Sequence, residues 1–378
     1  MNKELFSNQE VNTSRQIEMD LAKGFAILFM VWTHTNGGFG GSSGILSTIV
    51  DEIFGGPFAA PVFMVCMGVG MCYSKHTEIK DLVKRGINLL FIGYVLNVFR
   101  SVIPHYLSFL MTKQAYYLDN ISSIFSGDIM QFAGFAFLFF ALVKKWKWSD
   151  KKLILFSIFS SFLGMLLVGK TTGNECLDLI LGNIWATDGE TFFPFLNWII
   201  FPTFGYLFGK KFRCCKDKES FYKKVSPICG LIGFVYIVLM FIFKIGLYSE
   251  QARYYFLGPI DAVAILFLVI GIFGLDYYLS KSKNGFVRIL CNLSENINTV
   301  YCIHWTIIGL LGVVMYGVIV RGGLSIPLMT LLAIGIVTIS GLLAQWYSKY
   351  KFMQNQKVKL FLALLLFVAI VFSFVIRP

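Results

Sequence analysis

The sequence predicts an all-α, polytopic integral membrane protein with about eleven transmembrane helices and a cytoplasmic N-terminus. Composition is the first observation behind this prediction. Of the 378 residues, 56% are hydrophobic, 17% are aromatic and only 14% are charged, and the mean hydropathy is +0.70. So few charges would not cover a water-soluble protein that holds 39 Phe and 17 Tyr. Most of the chain must therefore have lipid as its solvent.

The second observation is the spacing of the apolar runs. A transmembrane helix needs about 20 mostly apolar residues, and shorter runs are tolerated inside a bundle. Eleven runs qualify, at approximately 21–36, 57–74, 86–103, 128–143, 153–169, 192–209, 227–247, 256–278, 297–319, 324–346 and 358–376. The first and the fourth are the least apolar because they contain Lys23, His34, Asp128 and Gln131. Polar residues within a span face the bundle interior or a wet cavity, and they mark function by default.

The third observation is the distribution of basic residues, which are enriched in cytoplasmic loops. With the N-terminus and every even-numbered loop inside, 26 of the 33 basic residues fall on that side. The formal charge of +12 then divides into about +15 inside and about −3 outside. This alternation predicts eleven spans with the N-terminus inside and the C-terminus outside. Because no basic region is interleaved with stacking aromatic residues, nucleic acid is not an expected partner.

One membrane-embedded domain is expected at 21–378, after a polar cytoplasmic segment at 1–20, because no repeat or low-complexity linker interrupts the chain. The N-terminus lacks a basic-then-apolar signal peptide, so the first helix is expected to insert uncleaved. Three outer loops are long, at 37–56, 104–127 and 170–191. Their mixture of apolar and polar residues at helical spacing predicts short interfacial or re-entrant pieces.

The eight cysteines predict neither a metal site nor a structural disulfide. Most lie in or beside apolar runs, without CxxC or Cys/His ligand spacing, and are expected to be packing residues. Cys214 and Cys215 are adjacent in a basic loop, a geometry that disfavours a structural disulfide. We therefore expect no metal ligands in this chain.

His34 and Lys23 lie on the same predicted helix, in DLAKGFAILFMVWTHTNGG. Eleven residues separate them, which places both on one helix face about 16 Å apart along the axis. A histidine that titrates near neutrality suits proton abstraction from a hydroxyl or amine, and a lysine near the cytoplasmic end suits a phosphate. The alternative is a core histidine bonded to a neighbouring helix and a lysine that snorkels to the interface. Asn36 follows His34 in a flexible Asn-Gly-Gly turn and is a candidate for substrate binding.

Other polar residues enter the membrane at comparable positions. His304 and Trp305 lie in the ninth span and are candidates for substrate binding, although a helix-packing histidine is equally compatible with the pattern. Asp128 and Gln131 begin the fourth span, and Asp261 begins the eighth. A carboxylate there would orient His34 or accept hydrogen bonds from acceptor hydroxyls. The alternative for Asp128 is a helix N-cap.

A second basic feature lies at the cytoplasmic mouth of the third span, in KDLVKRGINLL. Lys84 and Arg85 there obey the topology rule, as most such clusters do. The same positions suit the phosphates of a cytosolic nucleotide. A phosphate-binding glycine loop and a GxSxG nucleophile elbow are both absent from the sequence.

Several segments together resemble the transmembrane acyltransferase superfamily, which includes acyltransferase family 3 and the relatives of heparan-α-glucosaminide N-acetyltransferase. DLAKGFAILFMVWTHT resembles the family's opening helix, with Asp20, Gly24 and His34 in place and Lys23 where an Arg is usual. GGPFAAPVFMVCMGVGMCYS and KRGINLLFIGYVLN resemble the next two helices. GDIMQFAGFAFLF, FPTFGYLFG and INTVYCIHWTI are similar to later segments, so the likeness covers most of residues 15–345.

The resemblance implies that acetyl-CoA binds from the cytoplasm as a cosubstrate, with no tightly bound cofactor. The acetyl group would pass to a sugar or glycan on the far side, with His34 as base or transient acetyl carrier. Lys23 and Arg85, with the adjacent Lys84, would be the CoA-side cations. The Lys-for-Arg exchange at Lys23 removes the bidentate geometry that suits phosphate.

The leading hypothesis is therefore a membrane-bound O- or N-acetyltransferase in the plasma membrane, acting on a cell-surface or exported glycan. Its expected partners are acyl-CoA, the acceptor glycan and the lipid bilayer, and a homodimer is compatible with the sequence. The alternative is a secondary transporter of a small solute, in which Lys23, His34, Asp128 and His304 form a proton relay. Missing inverted repeats count against the transporter.

Overall fold

A computed structural model describes residues 5–41, 44–187, 191–250, 253–282, 284–350 and 355–376. The model is 80% helical, and the described residues form isolated β-bridges but no strand. Seven helical stretches within the described residues are long and apolar enough to cross a membrane. The prediction of an all-α membrane protein is confirmed at this level. The count of eleven spans and the orientation of the N-terminus stay predictions.

The α-helices of the described residues are numbered in chain order. The first nine are α1 (Ile17–Phe39), α2 (Ile45–Thr48), α3 (Ala60–Tyr73), α4 (Ile79–Asn97), α5 (Ile103–Thr112), α6 (Tyr116–Asp119), α7 (Ile129–Lys145), α8 (Asp150–Leu167) and α9 (Glu175–Trp185). The others are α10 (Phe195–Trp198), α11 (Ile200–Phe212), α12 (Lys218–Phe243), α13 (Pro259–Ser280), α14 (Gly285–Glu295), α15 (Ile297–Val314), α16 (Tyr316–Val320), α17 (Ile326–Tyr350) and α18 (Gln356–Ile376).

Shorter helical turns of two other kinds connect these helices. Ile49–Phe54 and Val98–Val102 are π-helical, whereas Asn120–Phe125, Gly246–Tyr248 and Arg253–Phe256 are 3-10 turns. Each of the eleven predicted spans overlaps at least one of these helices, although 192–209 includes residues of both α10 and α11 and 297–319 includes residues of both α15 and α16. The three long outer loops contain short helical pieces, as their spacing predicts. The first loop contains α2 and the first π turn, the second contains α6 and the first 3-10 turn, and the third contains α9.

Contacts within the chain define two compact units. The first unit comprises Met1–Ala26, Gly56–Leu89 and Gly127–Cys291, and the second comprises Ile27–Gly55, Leu90–Ser126 and Asn292–Pro378. Helices α1, α4 and α14 contribute residues to both units. A single membrane-embedded domain at 21–378 stays a prediction.

In the first unit, glycines allow helix backbones to approach closely. A Cβ added at Gly68 of α3 would collide with the carbonyl oxygen of Pro202 in α11, and one at Gly205 would collide with that of Val65. Helices α12 and α13 meet in the same way at Gly230 and Gly271. Small residues at such crossings let van der Waals contact and backbone proximity hold helices together in lipid.

The polar segment ahead of α1 is attached to the first unit. The amide of Ser7 donates to the carbonyl of Cys214 at 2.7 Å, and the amide of Lys216 donates to that of Leu5 at 2.9 Å. The side chain of Asn12 donates to the carbonyl of Phe212 at 3.2 Å. The described part of the predicted cytoplasmic segment is therefore bound to the loop that follows α11.

In the second unit, α18 packs against the π turn Val98–Val102 and the 3-10 turn Asn120–Phe125. Their shared core consists of Val98, Val102, Ile121, Ile124 and Ala369, all at most 6% exposed. The side chain of Asn97 donates to the carbonyls of Ile124 and Ser126, at 2.9 Å each. These contacts fix the π turn, which carries Arg100.

Candidate active site

His34 lies in the last third of α1 and is partly buried in the second unit. Neighbouring residues of the helix fix its position. The indole of Trp32 donates to the hydroxyl of Thr330 at 3.1 Å, and the hydroxyl of Thr33 donates to the carbonyl of Val50 at 2.9 Å. His34 therefore stands on a helical turn that is anchored to other elements of the unit.

His34 contacts the other membrane histidine that the sequence singled out. Its Nδ1 lies 2.9 Å from Nε2 of His304, and the two rings are almost parallel, with an interplanar angle of 7° and centroids 5.2 Å apart. His304 has no exposed surface. The two residues form a hydrogen-bonded pair inside the second unit.

The hydrogen-bond partners assign the tautomers of this pair. Nδ1 of His304 lies 3.1 Å from the carbonyl oxygen of Val300, and a carbonyl only accepts, so Nδ1 of His304 carries the hydrogen. Nε2 of His304 is then the acceptor, and Nδ1 of His34 donates to it. The lone pair of His34 therefore resides on Nε2, the atom that a general base needs.

Trp305 and Arg100 complete the surroundings of His34. The rings of Trp305 and His34 have centroids 4.2 Å apart, and the guanidinium carbon of Arg100 lies 5.1 Å from the centroid of the Trp305 ring. The indole nitrogen of Trp305 is buried and has no hydrogen-bond partner among the residues that the structure describes. A cation and an unused donor thus lie beside His34.

Asn36 is buried two residues beyond His34 and binds the outer-loop turns. Its amide nitrogen donates to the hydroxyl of Ser47 and to a carboxylate oxygen of Asp51, at 2.7 Å each. Burial raises the pKa of Asp51 to about 6, and the nearby Glu52 adds to the rise, against the opposing effect of the Asn36 hydrogen bond. Asn36 therefore ties the end of α1 to the π turn Ile49–Phe54.

The predicted CoA-side cations lie in the first unit. Lys23 forms an ion pair with Asp20 of its own helix at 2.9 Å, and Arg15 contacts the same carboxylate at 2.5 Å. Lys84 is exposed at the start of α4, and the guanidinium of neighbouring Arg85 lies 4.5 Å from the centroid of the Phe137 ring. Lys23 shares α1 with His34, as predicted, since the helix is continuous from Ile17 to Phe39.

The two predicted carboxylates have local partners in the first unit. Asp128 caps α7: it accepts from the amide of Ile129 at 2.7 Å, while the side chain of Gln131 accepts from the amide of Asp128 at 3.2 Å. This capping box is the structural alternative that the sequence left open. Asp261 accepts a hydrogen bond of 2.7 Å from the hydroxyl of Tyr236. Their action on His34 stays a prediction.

The sequence left open an acyltransferase and a secondary transporter, and a comparison with protein families supports the acyltransferase. The family model described as an acyltransferase domain matches residues 16–346 of this chain. The chain belongs to acyltransferase family 3. No curated protein sequence matches it significantly. The matched region includes all ten predicted site residues and excludes α18.

In this acyltransferase, sequence reasoning missed Arg100 and Asp51 as neighbours of the candidate residues. Each lies in a π turn, which no local sequence pattern marked. One signal was available for Arg100, because a cation in an apolar run on the poorly basic side of the membrane is rare and functional by default. For Asp51 the signal was weaker, since outer loops carry many acidic residues.

Proposed function

We propose that this family 3 acyltransferase transfers an acetyl group from cytosolic acetyl-CoA to a hydroxyl or amine of a glycan on the extracytoplasmic side of the plasma membrane. The observation that carries the proposal is the hydrogen-bonded chain from Val300 through His304 to His34, which leaves the lone pair of His34 on Nε2. Family membership supports acyl transfer as the chemistry.

His34 would act as the general base. Its Nε2 takes the proton of the acceptor hydroxyl while the acceptor oxygen bonds to the thioester carbonyl carbon, and the π electrons of the carbonyl move to its oxygen. When the carbonyl re-forms, the carbon–sulfur bond breaks and the CoA thiolate takes the proton from His34. In the stepwise variant, Nε2 of His34 bonds to the carbonyl carbon as the carbon–sulfur bond breaks and the CoA thiolate leaves. The acceptor oxygen then bonds to the same carbon as its bond to Nε2 breaks, and the CoA thiolate takes the acceptor's proton.

His304 would act as a positioning residue in this mechanism. Nε2 of the buried His304 accepts the hydrogen bond from Nδ1 of His34. This bond holds the imidazole of His34 in one orientation and one tautomer, as a carboxylate does for the histidine of hydrolase triads. His304 was a candidate for substrate binding, and its complete burial favours the orienting function. Asn36, Gln131 and Trp305 stay candidates for contact with the acceptor.

The cations of the first unit would hold the phosphates of CoA. Lys23, Lys84 and Arg85 are the proposed set, and the excess of basic residues on the predicted cytoplasmic side supports this polarity. Because the ammonium of Lys23 is paired with Asp20, phosphate binding there would share or replace that ion pair.

The test is acetyl transfer by the purified full chain in lipid nanodiscs, with acetyl-CoA labelled in its acetyl group. Wild-type protein is expected to release CoA, whereas His34→Ala binds acetyl-CoA with unchanged affinity and releases none. His76→Asn, an exposed loop histidine, is the matched control and should keep full activity. Full activity of His34→Ala would refute the mechanism.

The acceptor is to be found by mass spectrometry of surface glycans from cells with and without the protein. Loss of acetyl groups from one glycan class in the deletion strain supports the proposal. Solute flux in CoA-free liposomes, combined with unchanged glycans, would instead establish the transporter.

A further inference from the structure

We propose that the indole N–H of Trp305 and the guanidinium of Arg100 form an oxyanion site, which stabilises the negative charge that develops on the thioester carbonyl oxygen during acyl transfer. The inference rests on the proposed function, because it assigns the electrophilic half of the site whose base is His34. It also gives a role to Arg100, which lies outside the set expected from the sequence.

The first observation is the order of the three side chains. Trp305 packs on His34, with ring centroids 4.2 Å apart, and Arg100 lies over Trp305, with its guanidinium carbon 5.1 Å from the ring centroid. A carbonyl group attacked at His34 is small, so in this proposal its oxygen lies within reach of the indole N–H of Trp305. Trp305 therefore contacts both the proposed base and the cation.

The second observation is the unused donor on Trp305. A buried polar atom without a partner costs free energy, and in native proteins such an atom calls for an explanation. The indole nitrogen of Trp305 is such an atom among the described residues. For comparison, the indole of Trp32 on α1 is bonded to Thr330. A transient oxyanion is the acceptor that would use the donor of Trp305 only during the reaction.

The third observation is the backbone that presents Arg100. π-helical turns are rare and occur frequently at functional sites, and Arg100 lies within the turn Val98–Val102, whose hydrogen bond runs from the amide of Ile103 to the carbonyl of Val98. This turn lies directly against α15 at Gly309. A Cβ at Gly309 would come within 2.7 Å of the carbonyl oxygen of Arg100 and 3.0 Å of Pro104.

The position of Gly309 explains why Arg100 meets Trp305. Residues four apart lie on the same face of a helix, so Gly309 stands one turn above Trp305 on the face that receives the π turn. Because glycine has no side chain, the turn comes close enough for the guanidinium to reach the indole ring. The core around Ala369 supports the turn from its other side.

Charge chemistry favours this assignment over a purely structural one. An arginine within the membrane is costly and faces the protein interior or a wet cavity. A fixed cation and a buried N–H donor stabilise an oxyanion without reorganising during the reaction. Arginine stays protonated throughout, so Arg100 does not compete with His34 for the acceptor's proton.

The experiment compares Trp305→Phe, Arg100→Gln and Arg100→Lys with wild type in nanodiscs, using acetyl-CoA with water as acceptor and release of CoA thiol as the signal. Trp305→Phe keeps an aromatic ring against His34 and removes only the donor. The matched control is Trp185→Phe, which removes an indole donor that bonds the carbonyl of Lys170 in the first unit, outside the site. We expect kcat to fall about 10²-fold for Trp305→Phe and for Arg100→Gln, with KM within about twofold. Arg100→Lys should recover about tenfold.

A second measurement works without turnover. In the His34→Ala background, the infrared carbonyl stretch of bound acetyl-CoA, labelled with ¹³C at the carbonyl, should lie at lower wavenumber than in free acetyl-CoA. Adding Trp305→Phe should reduce this shift, whereas adding Trp185→Phe should not. An unchanged shift would overturn the proposal, and so would a rise in KM with unchanged kcat.

Failure of this inference is distinguishable from failure of the proposed function. If wild type turns over acetyl-CoA and Trp305→Phe does so within about twofold, only the oxyanion site is refuted. If wild type binds acetyl-CoA and shows no turnover under any condition, the proposed function fails and the oxyanion site fails with it. A further variant, Gly309→Ala, is expected to lower kcat by displacing the π turn while the Trp305 donor remains.

Discussion

The imidazoles of His34 and His304 are joined by a hydrogen bond of 2.9 Å between residues 270 positions apart in the chain. Because His304 donates its single N–H, on Nδ1, to the carbonyl of Val300 in its own helix, the pair has one arrangement of hydrogens rather than two. Helix α15 therefore determines which nitrogen of His34 carries the lone pair.

The first prediction concerns His304. His304→Phe keeps a ring in the buried position and removes the acceptor for Nδ1 of His34, so the tautomer of His34 is no longer fixed. We expect kcat for acetyl-CoA turnover to fall by about 10²-fold to 10⁴-fold, by analogy with loss of the orienting group in a triad. KM for acetyl-CoA should stay within about twofold.

A positioning function has a signature that a packing function lacks. The pH dependence of kcat should shift in His304→Phe, because the environment of the base has changed, while thermal stability stays close to that of wild type. His304→Gln, whose side-chain amide oxygen can accept a hydrogen bond, should recover part of the activity. Equal losses in the two variants, with an unchanged pH profile, would contradict the prediction.

The second prediction concerns Asp51. The pKa of its carboxyl is raised from the usual value of 3.8 to about 6, so between about pH 4 and pH 6 the folded chain holds a proton that the unfolded chain releases. The stability contributed by this group is present below about pH 4 and is lost as the pH rises through 6. Asp51→Asn removes that loss.

Thermal unfolding of both proteins from pH 4.5 to 7.5 measures the effect. The advantage of Asp51→Asn over wild type should grow with pH and level off above about pH 7, reaching at most about 2 kcal/mol. Asp119→Asn, an exposed carboxyl of the next outer loop, should show no such trend. A constant difference between Asp51→Asn and wild type at every pH would refute the raised pKa.

The third prediction concerns two glycines of α3. A Cβ at Gly68 would collide with the backbone of α11, whereas one at Gly70 would meet nothing within 4 Å. Gly68→Ala is therefore expected to lower the free energy of unfolding by about 1–3 kcal/mol, the usual range for overpacking. Gly70→Ala should raise it by up to about 1 kcal/mol, since alanine favours helix. Thermal melts of the two variants in detergent check the contrast.

The fourth prediction concerns Lys23. Lys23→Gln should raise KM for acetyl-CoA about tenfold without changing kcat, because a cation that binds phosphate contributes about 1.4 kcal/mol or more. Lys23→Arg should lower KM, since a guanidinium binds phosphate through two donors. Lys152→Gln, an exposed cation on the same predicted side, is the control. Equal KM values for Lys23→Gln and Lys152→Gln would remove Lys23 from the donor site.

The helices were predictable because each helix that crosses lipid needs a long apolar run, and each of the eleven runs overlaps at least one helix. The candidate site was predictable only in part. His34, His304 and Trp305 were identified by being polar or aromatic in a predicted span, yet their mutual contact depends on how α1 meets α15. The sequence pattern around His34 does not predict that it contacts a residue 270 positions further along the chain.

One local pattern has two physical explanations that the sequence does not separate. An aspartate at the start of a span satisfies a helix N-terminus and a catalytic site equally well, and Asp128 forms the capping box with Gln131. Arg100 was not predicted as a site residue because the π turn Val98–Val102 determines which side chains it contacts. The extra residue in such a turn rotates the following side chains, and no residue type in VFRSV announces it.

The attachment of residues 5–12 to the loop after α11 has a consequence for biosynthesis. Asn12 and Phe212 are 200 residues apart, and chains grow at about 5–20 residues per second. The N-terminal segment therefore waits about 10–40 s for its partner to be made. The contacts of residues 5–12 with this loop therefore form only after α1 to α11 have been synthesised.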